Sequence, residues 1–366
     1  MTYRIIQWGT GNVGKHALRT IVERPDYELV GLRVYNPDKV GKDAGELLGR
    51  EPLGVRATDD VEEILALDAD CVCYSALGST LDDKEGPLDD ICRLLASGKN
   101  VVSSAVEYHA YFRPDLHLKG AGENAEARLR AACEQGASTF FHVGINPGFA
   151  LDFWPTALSR VCRRIDKLTA TEIVDMTRYS SIHMVRDAIG FGVPPDQPVP
   201  VDAHNQDVYE SAYYISMRML ADAIGIDLDD VRYHRDVATT DRAFEIAAGT
   251  IEAGTVAAMK FVFEGIVDDR PVISLEHVWR VSNDVAPDWP IGDSRWLLHI
   301  DGDPTVDSEF VMATEEDAGR AVSLSVATLC LNAVPTVVSA APGLLDNLTL
   351  PVHGGGYVDR RVPARG

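Results

Sequence analysis

Positive charge is scarce in this 366-residue chain. Lys and Arg number 34 against 56 Asp and Glu, a formal net charge of −22. So acidic a surface repels nucleic-acid phosphates and anionic lipid, so no nucleic-acid and no membrane partner is expected. A neutral or cationic small molecule fits better. Cysteine is sparse, with six residues at 71, 73, 92, 133, 162 and 330. None forms a Cys-x-x-Cys pair, which removes zinc and dithiol spacings. Cys71 and Cys73 share a predicted strand and point to opposite faces. Buried, reduced thiols are expected. No long apolar run is clean: 318–341 is interrupted by Arg320, Asn332 and Pro335, so a buried helix and a turn are expected there. No leader precedes the opening strand "YRIIQWG", and a cytoplasmic location is expected. Repeats, low-complexity tracts, metal-ligand triads and a G-x-S-x-G turn are also missing.

What is present is an ordinary globular composition, 46% hydrophobic and 25% charged, at a length that suggests two domains. The first 150 residues alternate strand and helix. Strands are predicted over 3–9, 27–35, 70–76, 100–106 and 138–146. Helices are predicted over 12–24, from Val61 after the capping run Thr58-Asp59-Asp60, within 86–97, and over 123–135. Such alternation argues for a parallel sheet with right-handed crossovers. After "NPGFALD" the texture changes. A short helix over 152–163, a strand over 167–176, a Pro-rich hinge over 192–201 and a helix over 210–226 precede three long β-rich runs. These predict an open, mostly antiparallel, one-sided sheet. A helix over 315–333 and a tail then return to the first domain.

"GTGNVG" places Gly9, Gly11 and Gly14 in G-x-G-x-x-G spacing, after a strand and at the opening of a helix. Gly9 allows the tight turn, Gly11 a close approach to a pyrophosphate, and Gly14 the packing of helix on strand. Thr10, Asn12 and Val13 complete the loop, whose free N–H groups face the anion. This is the signature of a Rossmann dinucleotide-binding domain, predicted over 1–150 with 315–366. Residues 151–314 are expected to form a second domain. The fold class is therefore α/β, a Rossmann parallel sheet plus an α+β substrate domain. Asn36 stands where many NAD enzymes hold the ribose with an acid, and Lys39, Lys42 and Arg33 lie nearby. The neutral amide with these cations favours NADP, with NAD tolerated; a solvated lysine loop is the plainer alternative. Ligands bind outside the carboxyl ends of parallel strands. That selects Ser75, Ala76 and Leu77, then Ser104 and Ala105, then Asn146 for the nicotinamide crevice, though "SALGST" also reads as a helix-entry turn.

At the end of "NVVSSAV" stands Glu107, an acid where a buried strand reaches that crevice. A surface glutamate is the plain alternative. Together, "GTGNVG", "SSAVEY", "GINPGF" and "EIVDMTRYSS" resemble the dihydrodipicolinate-reductase-like family, in its branch of native amine dehydrogenases and 2,4-diaminopentanoate dehydrogenases. The resemblance implies a homodimer, with 151–314 as the substrate and dimerisation domain, and NAD(P)H-dependent reductive amination of a small ketone or aldehyde with ammonia, or the reverse. It implies that Glu107 is catalytic and that Asn146-Pro147-Gly148 lies beside the nicotinamide. A carboxylate suits this chemistry because it can exchange protons and stabilise a cationic iminium. The His-His-x-x-Lys signature of dihydrodipicolinate reductase is missing; its region holds only His183. Tyr108, Phe149, Arg178, Tyr179 and His183 are candidates for the substrate pocket, with His109 and His142 behind them and His277 on a strand of unknown facing. Each is individually better explained by packing or as a satisfied core residue. Two rivals stay open: a carboxylated imine or diamine substrate anchored by Arg178 or Arg186, and a non-catalytic NAD(P)-binding sensor or scaffold.

Overall fold

A computed structural model describes residues 2–76, 85–113, 116, 119–313 and 318–356. In chain order its strands are β1 Tyr3–Trp8, β2 Tyr27–Arg33, β3 Ala57–Thr58, β4 Cys71–Tyr74, β5 Asn100–Ser103, β6 Thr139–His142, β7 Arg164–Asp175, β8 Asp230–Thr239, β9 Phe244–Ile246, β10 Gly249–Ile251, β11 Val256–Val267, β12 Arg270–Arg280, β13 Arg295–Asp303, β14 Val306–Val311 and β15 Gly343–Leu345. Its helices are α1 Asn12–Glu23, α2 Ala44–Leu47, α3 Val61–Ala66, α4 Gly86–Ala96, α5 Ala125–Gly136, α6 Phe153–Ser159, α7 Pro200–Gln206, α8 Ala212–Ile224 and α9 Ala318–Ser339. Contacts divide the chain into two units, residues 1–144 with 323–366 and residues 145–322.

The first unit is built on a seven-stranded sheet in the order β15-β6-β5-β4-β1-β2-β3, with every pair parallel. Read from β3, the first six strands have the Rossmann order, and the order reverses between β1 and β4. Strands buried on both faces need apolar residues throughout, and "CVCY" in β4 is buried at all four positions. Helix α3 starts where predicted, with the Asp60 carboxylate accepting from the backbone of Glu62 and Glu63.

Two expectations shift here. The strand predicted over 100–106 ends at Ser103, and its last residues form a turn. The helix predicted to stop at 333 continues through Pro335 to Ser339. A proline has no N–H for the carbonyl four residues back, so the Leu331 carbonyl would be orphaned. The Tyr27 hydroxyl donates to it instead. Contrary to the sequence reading, α9 is long and apolar enough to cross a membrane over Ala321–Ser339. Its Ala327, Cys330, Leu331, Ala333, Val334 and Val337 are nevertheless fully buried in one cluster with Ile5, Cys73 and Phe141. That face of α9 packs into the core of the first unit.

The second unit carries a six-stranded sheet in the order β14-β13-β7-β12-β11-β8. It is antiparallel, as predicted, except for the parallel pair β7–β12. Helix α8 packs on it through Tyr213, whose ring lies 5.1 Å from Phe263 and 3.9 Å from His277.

Replacing Tyr27 with Phe should leave the Leu331 carbonyl buried without a donor. The expected loss is about 1–3 kcal/mol in chemical denaturation. An unchanged stability would show that Tyr27 does not compensate Pro335.

Candidate active site

The carboxyl ends of the parallel strands are knitted by backbone bonds. Gly9 N–H donates to the Arg33 carbonyl at 2.9 Å, Ser75 to Trp8 at 2.8 Å, Ser104 to Tyr74 at 3.1 Å and Val143 to Ser103 at 2.9 Å. Gly9, Ser75 and Ser104 thus share one sheet edge. The glycine loop between β1 and α1 leaves space only where an anion would need it. Gly9 has φ +93°, and a Cβ there would lie 2.9 Å from the Ser75 carbonyl oxygen. A Cβ on Gly14 would lie 2.3 Å from the Gly9 oxygen, whereas one on Gly11 would meet no atom within 4 Å. Helix α1 begins with no side-chain cap. Its first N–H groups are therefore available to an anion, and the residues present suit a dinucleotide pyrophosphate.

Lys39 is tied to this loop: its ammonium donates to the Thr10 carbonyl at 3.1 Å and hydroxyl at 2.9 Å. Burial first, and then the nearby Lys15, lower its pKa. Asn36 spends its side-chain oxygen capping the turn Pro37–Lys39, accepting from Asp38 N–H at 2.9 Å. Arg33, named in the sequence only as a neighbour, is more prominent. Its guanidinium lies 5.6 Å from the Trp8 ring and 4.7 Å from the Tyr35 ring. Its Nε and Nη1 are buried without hydrogen-bond partners among the described residues. Gln7 was missed. It is fully buried and donates to the Gly9 carbonyl at 2.9 Å, bracing the loop from below. Its signal was a single polar residue inside an apolar strand. Leu77 lies outside the described residues.

Glu107 follows a backbone outlier. Val106 is buried with φ 61° and ψ 77°, a left-handed conformation that a β-branched residue adopts only under constraint. The constraint is visible. The Ala105 N–H donates to Ser103 Oγ at 3.1 Å, and the Ala105 carbonyl accepts from the same hydroxyl at 3.0 Å and from His142 Nδ1 at 3.2 Å. Beyond the turn, His109 N–H donates back to the Val106 carbonyl at 2.9 Å. Glu107 is half-buried and begins a single 3-10 turn, Glu107–His109. Among the described residues its carboxylate makes no hydrogen bond or ion pair. Tyr108 is 6% exposed, and its ring packs on Gly120, where a Cβ would come within 2.3 Å of it. The imidazole of His109 donates from Nε2 to the Ala121 carbonyl at 2.7 Å and stacks on Phe112. Both side chains support the turn.

In the second unit, Asn146 meets a residue the sequence did not connect to it. Its Nδ2 donates to Glu172 Oε1 at 2.6 Å. Glu172 Oε2 is 3.0 Å from His277 Nδ1 and 3.3 Å from Trp279 Nε1. His277 therefore faces the side of the sheet that carries Glu172, its register partner on β7. Asp152 accepts from Gly148 N–H and Ser216 Oγ, both at 2.8 Å, and so pins Asn146-Pro147-Gly148 to α8. Phe149 belongs to an aromatic cluster with Phe153 and Phe310. Tyr179 is 46% exposed. His183 is exposed too and pairs with Asp187 on its own turn. Arg178 lies near Asp293. Arg186 lines a cavity of about 280 Å³ with Val185, Phe191, Ile251 and Glu252.

Known proteins align with these features. Residues 149–361 match the family described as 2,4-diaminopentanoate dehydrogenase C-terminal domain, and residues 3–74 match dihydrodipicolinate reductase, N-terminus. An amine dehydrogenase of Streptomyces virginiae is 34% identical over 95% of this chain and 96% of its own. A 2,4-diaminopentanoate dehydrogenase of Acetoanaerobium sticklandii is 24% identical over 95% and 93%. The solved amine dehydrogenase of Mycobacterium smegmatis shares the fold at a TM-score of 0.71 and 17% identity, covering 97% of each chain.

Burial lowers the pKa of His109 to about 4 and of His142 to about 3. Both are then harder to protonate folded than unfolded, where the value is about 6.5. Their stabilising contribution is complete above pH 6.5 and lost as pH falls toward 4 and 3. Each should add about 1.4 kcal/mol of destabilisation per pH unit in that window. Unfolding midpoints followed from pH 7 to 4.5 should fall, with a shallower slope for His142→Gln. An identical slope would contradict burial of a neutral ring at 142.

Proposed function

This chain belongs to the family of amine dehydrogenases and 2,4-diaminopentanoate dehydrogenases, NAD(P)-dependent oxidoreductases acting on amines, and on that premise we propose that it aminates small aliphatic ketones or aldehydes with ammonia and, in reverse, deaminates the amines. The observation that carries this reading is Glu107. It combines a half-buried carboxylate, free of partners among the described residues, with a strained turn at the carboxyl end of β5. On this reading Glu107 takes a proton from ammonium to free the attacking ammonia, gives that proton to the carbinolamine hydroxyl as it leaves as water, and stabilises the resulting iminium by its charge. A nicotinamide cofactor, when bound, supplies the hydride. The loop from Gly9 to Gly14 would hold its pyrophosphate, with Lys39 beside Thr10. We assign the preference to NADP with NAD tolerated, because Arg33 and Lys39 supply cations at the end of β2 and no acid stands in the Asn36 position.

A carboxylated substrate remains the second reading, favoured by Arg186 at the 280 Å³ cavity. Glu252 lines the same cavity and opposes an anion there. Plain ketones are therefore expected to outperform keto acids when ammonium-dependent NADPH oxidation is compared across both; the reverse ranking would favour the second reading.

Glu107→Ala should bind NADPH as the wild type does but lose about 10²–10⁴-fold in the amination rate. Near-normal turnover would remove Glu107 from the chemistry. Gly11→Ala meets no protein atom, so it should fold normally yet weaken NADPH binding about tenfold or more by crowding the anion. Unchanged affinity would place the pyrophosphate elsewhere.

A further inference from the structure

Glu172 accepts more hydrogen bonds than a surface acid, and two of its partners are left with too few. The residue is 9% exposed on β7 and takes donors from Asn146, His277 and Trp279 at 2.6, 3.0 and 3.3 Å. A carboxylate only accepts, so it decides what each partner presents elsewhere. Asn146 must turn its amino group to Glu172, which leaves Oδ1 facing away, buried and without a partner among the described residues. His277 must turn a proton-bearing Nδ1 to the same acid, and its Nε2 is buried with no hydrogen-bond partner among the described residues. Leaving a buried acceptor without a donor is costly. A fold that keeps the Asn146 oxygen so, aimed by one acid, points to a donor that arrives with a ligand.

We propose that Glu172 is a positioning residue that presents the Asn146 carbonyl oxygen to an N–H donor of the bound reactants. The proposal rests on the amine dehydrogenase reading and names a further residue for it. The backbone on the other side of Asn146 is fixed as well, because Asp152 holds Gly148 N–H at 2.8 Å and is itself held by Ser216. Asn146 therefore cannot relieve its oxygen by moving the segment, and a side-chain flip would set its amino group against nothing while facing two oxygens together. The donor is of one chemistry, a polarised N–H, and has two sources in the proposed reaction: the nitrogen of the ammonium or amine, and the carboxamide of the nicotinamide.

The test is a double-mutant cycle on the full chain. Glu172→Gln replaces an accepting oxygen with an amino group, and Asn146 can satisfy it only by flipping, which shows a donor where the acceptor stood. We expect either the KM for ammonium or the Kd for NADPH, titrated by fluorescence without any ketone, to rise about tenfold or more. A rise in KM alone identifies the substrate nitrogen as the donor; a rise in Kd identifies the nicotinamide carboxamide. In an Asn146→Ala background the same substitution should change either constant by less than about twofold, since the oxygen is already gone. Unaltered constants in Glu172→Gln, or effects that simply add to those of Asn146→Ala, would overturn the proposal. If Glu172→Gln does not fold, Glu172→Asp keeps the charge, shortens the reach and runs the same cycle with the same expected sign. A wild type that binds NADPH but aminates no ketone would overturn the amine dehydrogenase reading instead; the NADPH titrations need no turnover and still judge Glu172.

Discussion

A β-branched residue held at a positive φ costs roughly 1–3 kcal/mol and persists only where its surroundings leave no alternative. Val106 is such a residue, and the end of β5 depends on it. Had the strand continued in extended geometry, Glu107 would have alternated into or out of the sheet like any strand residue. The left-handed turn breaks that alternation and starts a new direction at the acid. Ser103 and His142 hold the turn through the Ala105 backbone. His142 donates to that carbonyl from Nδ1, and burial keeps its ring neutral. The placement of one carboxylate thus draws on a serine, a buried imidazole and the parallel pairing of β5 with β6.

The second unit uses the opposite device. Asp152 and Glu172 are nearly fully buried acids, and each accepts from several donors. Buried carboxylates with this many hydrogen bonds fix geometry, because moving any one donor exposes an unpaired charge. Asp152 fixes the backbone of the Asn146-Pro147-Gly148 segment, and Glu172 fixes the Asn146 side chain. Rigidity is what a site must have if its polar groups are to meet a ligand without rearranging.

Much of this was legible in the sequence because the signals are local. The glycine spacing, the Asp60 cap and the fully apolar "CVCY" each report a structure made by neighbouring residues. The mostly antiparallel second sheet followed from three long β-rich runs. Where prediction strayed, the deciding contact was distant. Pro335 reads as a helix stop until Tyr27, 308 positions away by chain, supplies the hydroxyl its missing N–H requires; the helix then continues. Strand β5 stops early because His142 on another strand captures its turn. Glu172 was passed over because an acid on a strand reads as solvent-facing, and only the pairing of β7 with β12 sets His277 beside it. Arg33 was visible as a nearby cation, but its enclosure by Trp8 and Tyr35 was not.

The central claim is that this chain delivers hydride to a carbon bearing nitrogen. The direct measurement supplies NADPH deuterated at the transferable position, ammonium and a small aliphatic ketone, and follows the label by mass spectrometry. The account predicts a primary amine carrying one deuterium on the carbon bonded to nitrogen. A deuterated alcohol as the labelled product, or no transfer of label to any product, would contradict it.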